Sequence, residues 1–388
     1  MKGIYIILIV LIVLIAGGAV WYFLVYQKSA TQTQATSSPA AASNQIDPNN
    51  KFGWLGGADV KEEYEYVKSA GGGWMRPHPG PAVWDMMQKE ENGEINFDGM
   101  DKVVQTSQEV GVNLLITLWP FAEWDQKNRP DADACRVSSQ DEFLPKNDEK
   151  GRSSYLPEHR CNPNSWEKYE TWVKKVVERY DFDGQDDMPG LKYVINRWEA
   201  MNEPDLSWKN AGPESGRLTF YKQAPKDYGE LLGHTNSAVK AADANAKVVI
   251  AGAAGASPEQ LGFYTQVFEQ TPEAKNNFDI GNVHCISNDQ LTKDLNVASY
   301  KKMLEQAGIT GKPIWVTEAE TMSENKTAQE HADDLKASIQ AALATGAEKI
   351  FFTRYDLADT RKDMSKQKES RGEEESIQLY KQIIENFQ

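Results

Sequence analysis

Positive charge is in short supply in this chain. Its 42 Lys and Arg face 57 Asp and Glu, for a net charge of −15 over 388 residues. Such a balance argues against nucleic acid and against an anionic membrane surface as partners. No cluster of His and Cys has zinc spacing. There is no P-loop, no serine nucleophile elbow and no internal repeat of short period. Gly56 and Gly57 follow the first strand-like run, but no GxGxxG pattern does, which weakens the case for a doubly wound dinucleotide fold. Cysteine is sparse as well, with three residues. Cys135 and Cys161 flank a polar stretch, and outside the cytoplasm they are candidates for a disulfide, the alternative being two loop thiols. Cys285 lies in an apolar run and reads as a small core residue.

What the chain does have begins at its N-terminus. The run Ile4 to Tyr26 carries no charge and is long enough to span a bilayer. A cleaved signal peptide is the rival, but its apolar core is shorter, and Trp21, Tyr22 and Tyr26 suit an interfacial belt. Residues 1–28 are therefore expected to be an uncleaved membrane anchor. Lys2 and the amino terminus favour a cytoplasmic start and an exported body. Residues 29–50, rich in Ala, Ser, Thr, Gln and Asn, read as a disordered linker. The folded domain is expected over residues 51–388.

Within that domain short apolar runs alternate with amphipathic stretches. The strand candidates are Phe52 to Gly56, Gly73 to Arg76, Asn113 to Trp119, Tyr193 to Ala200, Lys247 to Ala251, Ile280 to His284, Pro313 to Thr317 and Lys349 to Thr353. Most are continuous apolar runs, as in parallel strands covered on both faces. Helical periodicity lies between them, clearest over Trp166 to Tyr180, Ala328 to Leu343 and Glu375 to Phe387. The pattern predicts an α/β fold, a (β/α)8 TIM barrel with insertions. The longest insertion, Phe121 to Asn164, follows strand three and belongs with the loops that shape a barrel site.

Two glutamates end strand-like runs 115 residues apart. Glu203 stands in YVINRWEAMNEPD after strand four, and Glu318 in KPIWVTEAE on strand seven. A barrel puts its chemistry at the C-terminal ends of its strands. Two facing carboxyls are what glycosidic cleavage needs, one to protonate the leaving oxygen and one to attack the sugar or activate water. Glu320 shares the strand parity of Glu318 and is a rival nucleophile. Glu199, within strand four, reads as structural.

The NEP after strand four, the WVTE of strand seven, the WEAMNEPD string and the RPHPGP turn after strand two carry a family likeness. From Lys51 onward the chain resembles the retaining (β/α)8 glycoside hydrolases of clan A, in their family 39-like and family 5-like branches. The resemblance implies that Glu203 is the general acid/base and Glu318 the nucleophile. It implies that Asn202 bonds the sugar 2-hydroxyl, that Arg76 lies beside the nucleophile and that His284 lines the site. Two positions depart from the pattern. Cys285, Ile286 and Ser287 follow His284 where a Tyr is usual, and FFTRYD ends strand eight where a Trp is usual. Tyr355 is then the candidate replacement stacking surface, and Arg354 the candidate contact to an acidic sugar.

Trp119, Trp124, Trp208 and Trp315 fall near strand ends, where two or more are expected to stack on sugar rings. Glu123 and Asp125 flank Trp124 and are candidates for sugar hydroxyls. Asp181, Asp183, Asp186 and Asp187 surround Gly184 in RYDFDGQDDMPG. A calcium loop is the sharper reading there, a solvated turn the plainer one. No other cofactor is expected. The sequence thus predicts a membrane-anchored, extracytoplasmic retaining β-glycosidase with a polymeric carbohydrate as partner. A glycan-binding barrel that does not cut and a transglycosylase are the alternatives.

Overall fold

A computed structural model of the chain describes residues 46–57, 60–145, 155–208, 218–287, 293–321, 326–357 and 374–388. The apolar run Ile4 to Tyr26 and nearly all of the expected linker lie outside those residues. Among the described residues, no helix is long and apolar enough to cross a membrane.

Eight parallel strands alternate with eight longer helices in the described residues, with shorter helical turns in the loops. The strands are β1 (Phe52–Gly56), β2 (Trp74–Pro77), β3 in two pieces (Asn113–Leu114 and Ile116–Leu118), β4 (Arg197–Ala200), β5 (Lys247–Ile250), β6 (Gly281–Ser287), β7 (Ile314–Thr321) and β8 (Ala347–Phe352). The helices are α1 (Lys61–Ser69), α2 (Asp98–Val110), α3 (Trp166–Glu178), α4 (Pro225–Ala242), α5 (Pro258–Gln270), α6 (Val297–Gln306), α7 (Ala328–Thr345) and α8 (Glu374–Glu385). Hydrogen-bonded pairing runs from β3 through β2, β1, β8 and β7 to β6, and separately from β3 through β4 to β5. Parallel bridges Val249–Ile280 and Ala253–Val283 join β5 to β6 and close the ring. The expected barrel is therefore the observed fold.

Alternation along the strands sorts the core into two parts. Trp74, Leu115, Val249, Ile280, Trp315 and Phe351 form a separate buried cluster that fills the barrel interior. The Lys349 ammonium sits over the Trp74 ring at 4.8 Å and closes the lower end of that layer. It also donates to the carbonyls of Pro48 and Asn50, so those residues, assigned by sequence to the linker, pack on the base of the barrel. The larger core lies between strands and helices. On α3, Tyr169, Trp172, Val173, Val176 and Val177 are buried at helical spacing. Ser165 caps that helix by accepting from the Lys168 amide.

The insertion after β3 is held in two ways. Cys135 and Cys161 are joined by a disulfide that closes 26 positions of sequence. Arg160 and Asp141 form an ion pair with neither side chain exposed. Both residues also bind the segment after β4, Arg160 through the Thr219 carbonyl and Asp141 through the Thr219 amide. Tyr221 donates to Asn162 at 2.6 Å, tying the same two loops. Removing the crosslink with Cys135→Ser and Cys161→Ser should lower the unfolding free energy by about 3.5 kcal/mol, the loop-closure entropy of a loop of this size. Urea titration of the oxidised wild type against the double variant measures it. Equal midpoints would show that the buried Arg160–Asp141 pair holds the insertion without the crosslink.

Candidate active site

The site is built around Arg76, the penultimate residue of β2, which has no exposed surface. A buried guanidinium needs carboxylates for its charge and acceptors for its N–H groups. Arg76 has both. Its Nε donates to Glu199 Oε2 at 2.8 Å and its Nη1 to Glu318 Oε1 at 2.8 Å. Its Nη2 reaches Glu199 Oε1 at 3.1 Å and Asn202 Oδ1 at 2.6 Å. Burial opposes the charge, but the Glu199 and Glu318 carboxylates outweigh it and hold Arg76 protonated above its ordinary range.

Glu318 reaches this cluster through a break in strand alternation. Val283 pairs with Val316 but His284 pairs with Glu318, so β7 carries one extra residue, Thr317. A bulge of this kind re-aims side chains. Here Thr317 and Glu318 both turn toward the network, Thr317 against Asn282 and His284, and Glu318 against Arg76.

Glu203 is presented by a left-handed backbone. Its φ is 43° and that of Met201 is 73°, a conformation that costs free energy for residues with a Cβ. The Glu203 amide donates to the Gly252 carbonyl, which fixes the turn against the end of β5. Gly252 is required there, since a Cβ would lie 2.1 Å from His284 Nε2. The Glu203 carboxyl meets His284 Nδ1 at 2.6 Å, and the same nitrogen is 3.6 Å from Glu318. One oxygen each of Glu203 and Glu318 and a ring nitrogen of His284 lie within 4.8 Å of one another.

The two carboxyls differ in their surroundings. Burial pushes Glu203 up to about 7, with Arg76 opposing and Glu199 adding. Burial also raises Glu318, but its direct hydrogen bond from Arg76 opposes the rise. His284 is driven down to about 4 by burial, so its ring is neutral at neutral pH. Asp205, two residues after Glu203, is raised well above its usual range by burial and then by Glu203. Its carboxyl accepts from the Ala254 amide at 3.0 Å and braces the turn.

Arg76, Asn202, Glu203, His284 and Glu318 therefore come together as the sequence suggested, and other expected members do not. Trp119 is fully buried, with its indole N–H on the Pro79 carbonyl. Trp124 packs edge-on to Trp84 and donates to Gln88. Neither offers a face for a sugar, because both rings hold loops together. Trp315 belongs to the interior layer, and Trp208 packs on Phe263 of α5. Tyr355 stacks edge-on with Tyr66 of α1 rather than over the cluster. Arg354 is ion-paired with Glu320, and Thr353 also binds Glu320. That pair borders a small cavity shared with His331 and Tyr380 of α7 and α8. Glu320 and Arg354 are thus paired with each other beside α7 and α8, away from the Arg76, Glu203 and Glu318 cluster.

Glu123 and Asp125 are also used by the loop. Glu123 accepts from the amides of Glu158 and His159, and Asp125 from those of Asn164 and Ser165. In the acidic turn, Asp187 accepts from the amides of Phe182 and Gly184. Oxygens of Glu178, Asp181 and Asp183 lie within 4.8 Å of one another there, and burial raises Asp181 to about 6.

Sequence reasoning overlooked Asn282, Thr317 and Thr117. Asn282 Nδ2 donates to Glu199 at 2.7 Å, and Thr117 Oγ1 to the same carboxylate at 2.5 Å. Asn282 stands two residues before His284 and so shares its face, a signal that was available. For Thr317 there was none, because the bulge is not written in alternation.

A scan against protein-family models and a search of curated proteins found no match. Solved structures do match. A glucosidase from Croceicoccus marinus superposes with a TM-score of 0.58 at 14% identity, over 87% of this chain and 67% of the other. A family 39 glycoside hydrolase from Bacteroides cellulosilyticus gives 0.52 at 16% identity, over 80% and 56%. A family 10 endo-β-1,4-xylanase from Gloeophyllum trabeum gives 0.51 at 16%, over 79% and 85%. The chain thus spans about two thirds and just over half of the first two. At these identities the shared property is the (β/α)8 fold of glycoside hydrolases.

Proposed function

We propose that this chain is a retaining β-glycoside hydrolase acting on a poly- or oligosaccharide. One observation carries the reading. Two carboxyl groups approach within 4.8 Å, one in direct contact with Arg76 and the other held protonated to about 7. Retaining enzymes keep their two carboxyls about 5–5.5 Å apart, whereas inverting ones leave about 6.5–9.5 Å for a water.

In the first step Glu318 attacks the anomeric carbon while Glu203 gives its proton to the glycosidic oxygen. The C–O bond breaks and a glycosyl ester forms on Glu318. In the second step Glu203 takes a proton from water, the water attacks the anomeric carbon, and Glu318 leaves as carboxylate. Asn202 supports a substrate in this position. Its Oδ1 is spent on Arg76, and its buried Nδ2 has no partner among the described residues. A buried unpaired donor is costly unless a ligand satisfies it, and a sugar 2-hydroxyl is the acceptor the reaction would supply.

The similar structures include a glucosidase and an endo-β-1,4-xylanase, so β-linked gluco- and xylo-configured glycans come first as substrates. The Arg354–Glu320 pair gives no reason to prefer acidic sugars. On the sequence, the Ile4 to Tyr26 run would hold the domain at the outer face of the membrane, near a surface polymer.

The test is reducing-sugar release by the full-length chain across β-glucans, xylans, mannans and galactans, with Glu318→Ala as control. Release by the wild type alone supports the reading. Binding without release from any of them would favour a glycan-binding barrel, and elongated products at high acceptor would indicate transglycosylation. On a hydrolysed substrate, kcat/KM should fall as pH rises through about 7, because Glu203 must be protonated in the free enzyme. It should also fall on the acid side, as Glu318 takes up a proton. A profile flat to pH 9 would contradict the acid role of Glu203.

A further inference from the structure

A line of hydrogen bonds connects Glu199 to Glu203, and its donors and acceptors can be assigned from one end. Glu199 is held by two N–H groups of Arg76 and is a carboxylate, which only accepts. Asn282 must therefore point its Nδ2 at Glu199, 2.7 Å away. That leaves Asn282 Oδ1 facing Thr317 Oγ1 at 2.8 Å, so the threonine gives its single proton to the amide oxygen. Toward His284 Nε2, at 2.9 Å, the Thr317 oxygen then acts only as acceptor, and Nε2 carries the hydrogen. A neutral imidazole with its hydrogen on Nε2 has a lone pair on Nδ1. That lone pair faces Glu203 Oε1 at 2.6 Å, and only a protonated carboxyl satisfies it.

Building on the hydrolase reading, we propose that Asn282 and Thr317 are positioning residues. They lock His284 in its Nε2–H tautomer, so that Nδ1 accepts the acid proton of Glu203 and keeps that carboxyl in its neutral, proton-donating form.

The physics runs in one direction. A hydrogen bond to the neutral form of a group disfavours its charged form. With Nδ1 as acceptor, His284 adds to the burial that keeps Glu203 protonated. If the ring took the opposite tautomer, Nδ1–H would donate to a Glu203 carboxylate and favour proton loss. Other groups facing Glu203 do not depend on this choice. They are Arg76 of β2, Glu199 of β4, Asp205 in the turn after β4, Tyr264 of α5 and Glu318 of β7. Low exposure makes the line effective, since Glu199, Asn282, Thr317 and His284 have no exposed surface. At low local dielectric such bonds are strong and their directions hold.

The experiment is a tautomer measurement with a pH profile. The chain has five histidines, so long-range proton–nitrogen spectra of histidine-labelled full-length protein are resolvable. The His284 signal is assigned by its loss in His284→Gln. At pH 6 the wild type and Thr317→Ser should show the Nε2–H tautomer. Thr317→Val keeps the shape but has no hydroxyl to receive Nε2–H, so it should show the Nδ1–H tautomer. The Glu203 carboxyl, followed by carbon-13 labelling, should then titrate about one pH unit lower. The basic limb of kcat/KM should move down with it, and Thr317→Ser should restore it.

A wild-type His284 found as Nδ1–H, or a Thr317→Val variant with unchanged tautomer and unchanged Glu203 titration, would overturn the proposal. The two spectra need no substrate. A chain that hydrolyses nothing would sink the hydrolase reading while the relay still stood or fell by the spectra.

Discussion

Glu318→Ala is expected to lower kcat/KM on any hydrolysed glycan by about 10⁴-fold or more, the usual scale for removing a covalent nucleophile. Among the described residues, no other carboxyl near Glu318 is placed to replace it. Glu320, two residues on, is engaged by Arg354 and Thr353 beside α7 and α8. Glu203 is set to hold a proton rather than to attack. The vacancy left by the side chain also allows a sharper check. A small anion such as azide can occupy it and attack the anomeric carbon from the same face. A β-linked aryl glycoside would then yield the α-glycosyl azide, with the aryl oxygen leaving. A variant losing only a few-fold in rate, with Glu320→Ala losing most of it, would overturn the assignment. A β-configured azide product would place the nucleophile on the other side of the sugar.

Arg76→Ala should have the largest effect on stability, about 3–5 kcal/mol of unfolding free energy. The change removes the four hydrogen bonds that Arg76 makes to Glu199, Glu318 and Asn202. It leaves two carboxyls in the barrel mouth with no cation between them. A single surviving buried charge is costly, and two of one sign are worse. The loss should depend on pH in a defined direction. Carboxyls deprived of the cation bind protons more tightly folded than unfolded. Stability is then fully kept below the ordinary carboxylate range and lost as pH rises through the raised folded value. Urea unfolding at pH 4 and pH 8 reads this. The gap between wild type and variant should be wider at pH 8. An equal gap at both would mean that the lost packing of the Arg76 side chain, not its charge, carries the effect.

Together the two variants separate chemistry from architecture. Glu318→Ala keeps Arg76 paired with Glu199, so it should fold and fail to turn over. Arg76→Ala disturbs both functions, since it also releases the Asn202 amide. An Asn202 free to rotate would no longer hold its Nδ2 ready for a substrate hydroxyl. The contrast can be read from urea midpoints alone, before any substrate is known.

Much of this was legible in the chain, for reasons that are local. Runs such as VVI at Val248–Ile250 and KIFF at Lys349–Phe352 have the continuous burial of parallel strands. The spacing of Tyr169, Trp172, Val173, Val176 and Val177 shows one face of a helix. A strand-helix alternation repeated in this way leaves few folds open, and the ends of its fourth and seventh strands drew attention to Glu203 and Glu318. These signals survive in a single sequence because strand burial and helix amphipathicity are set by residues a few positions apart.

What only the tertiary structure decided depends on residues far apart in sequence and on sub-residue register. The extra residue in β7 turns Glu318 into the cluster together with Thr317, and alternation alone cannot announce a bulge. The line from Glu199 through Asn282 and Thr317 to His284 draws on three strands, and its directions follow from Arg76, on a fourth. The aromatic residues show the reverse case. Trp119, Trp124 and Tyr355 stand near strand ends, where a sugar-stacking role was reasonable. A tryptophan that pins a loop and one that faces a ligand have the same sequence surroundings, and their difference lies in which side of the ring the rest of the chain covers. Sequence by itself determined the barrel and pointed to Glu203 and Glu318; packing decided which groups surround those two carboxyls, because burial and hydrogen-bond direction exist only once the strands have closed.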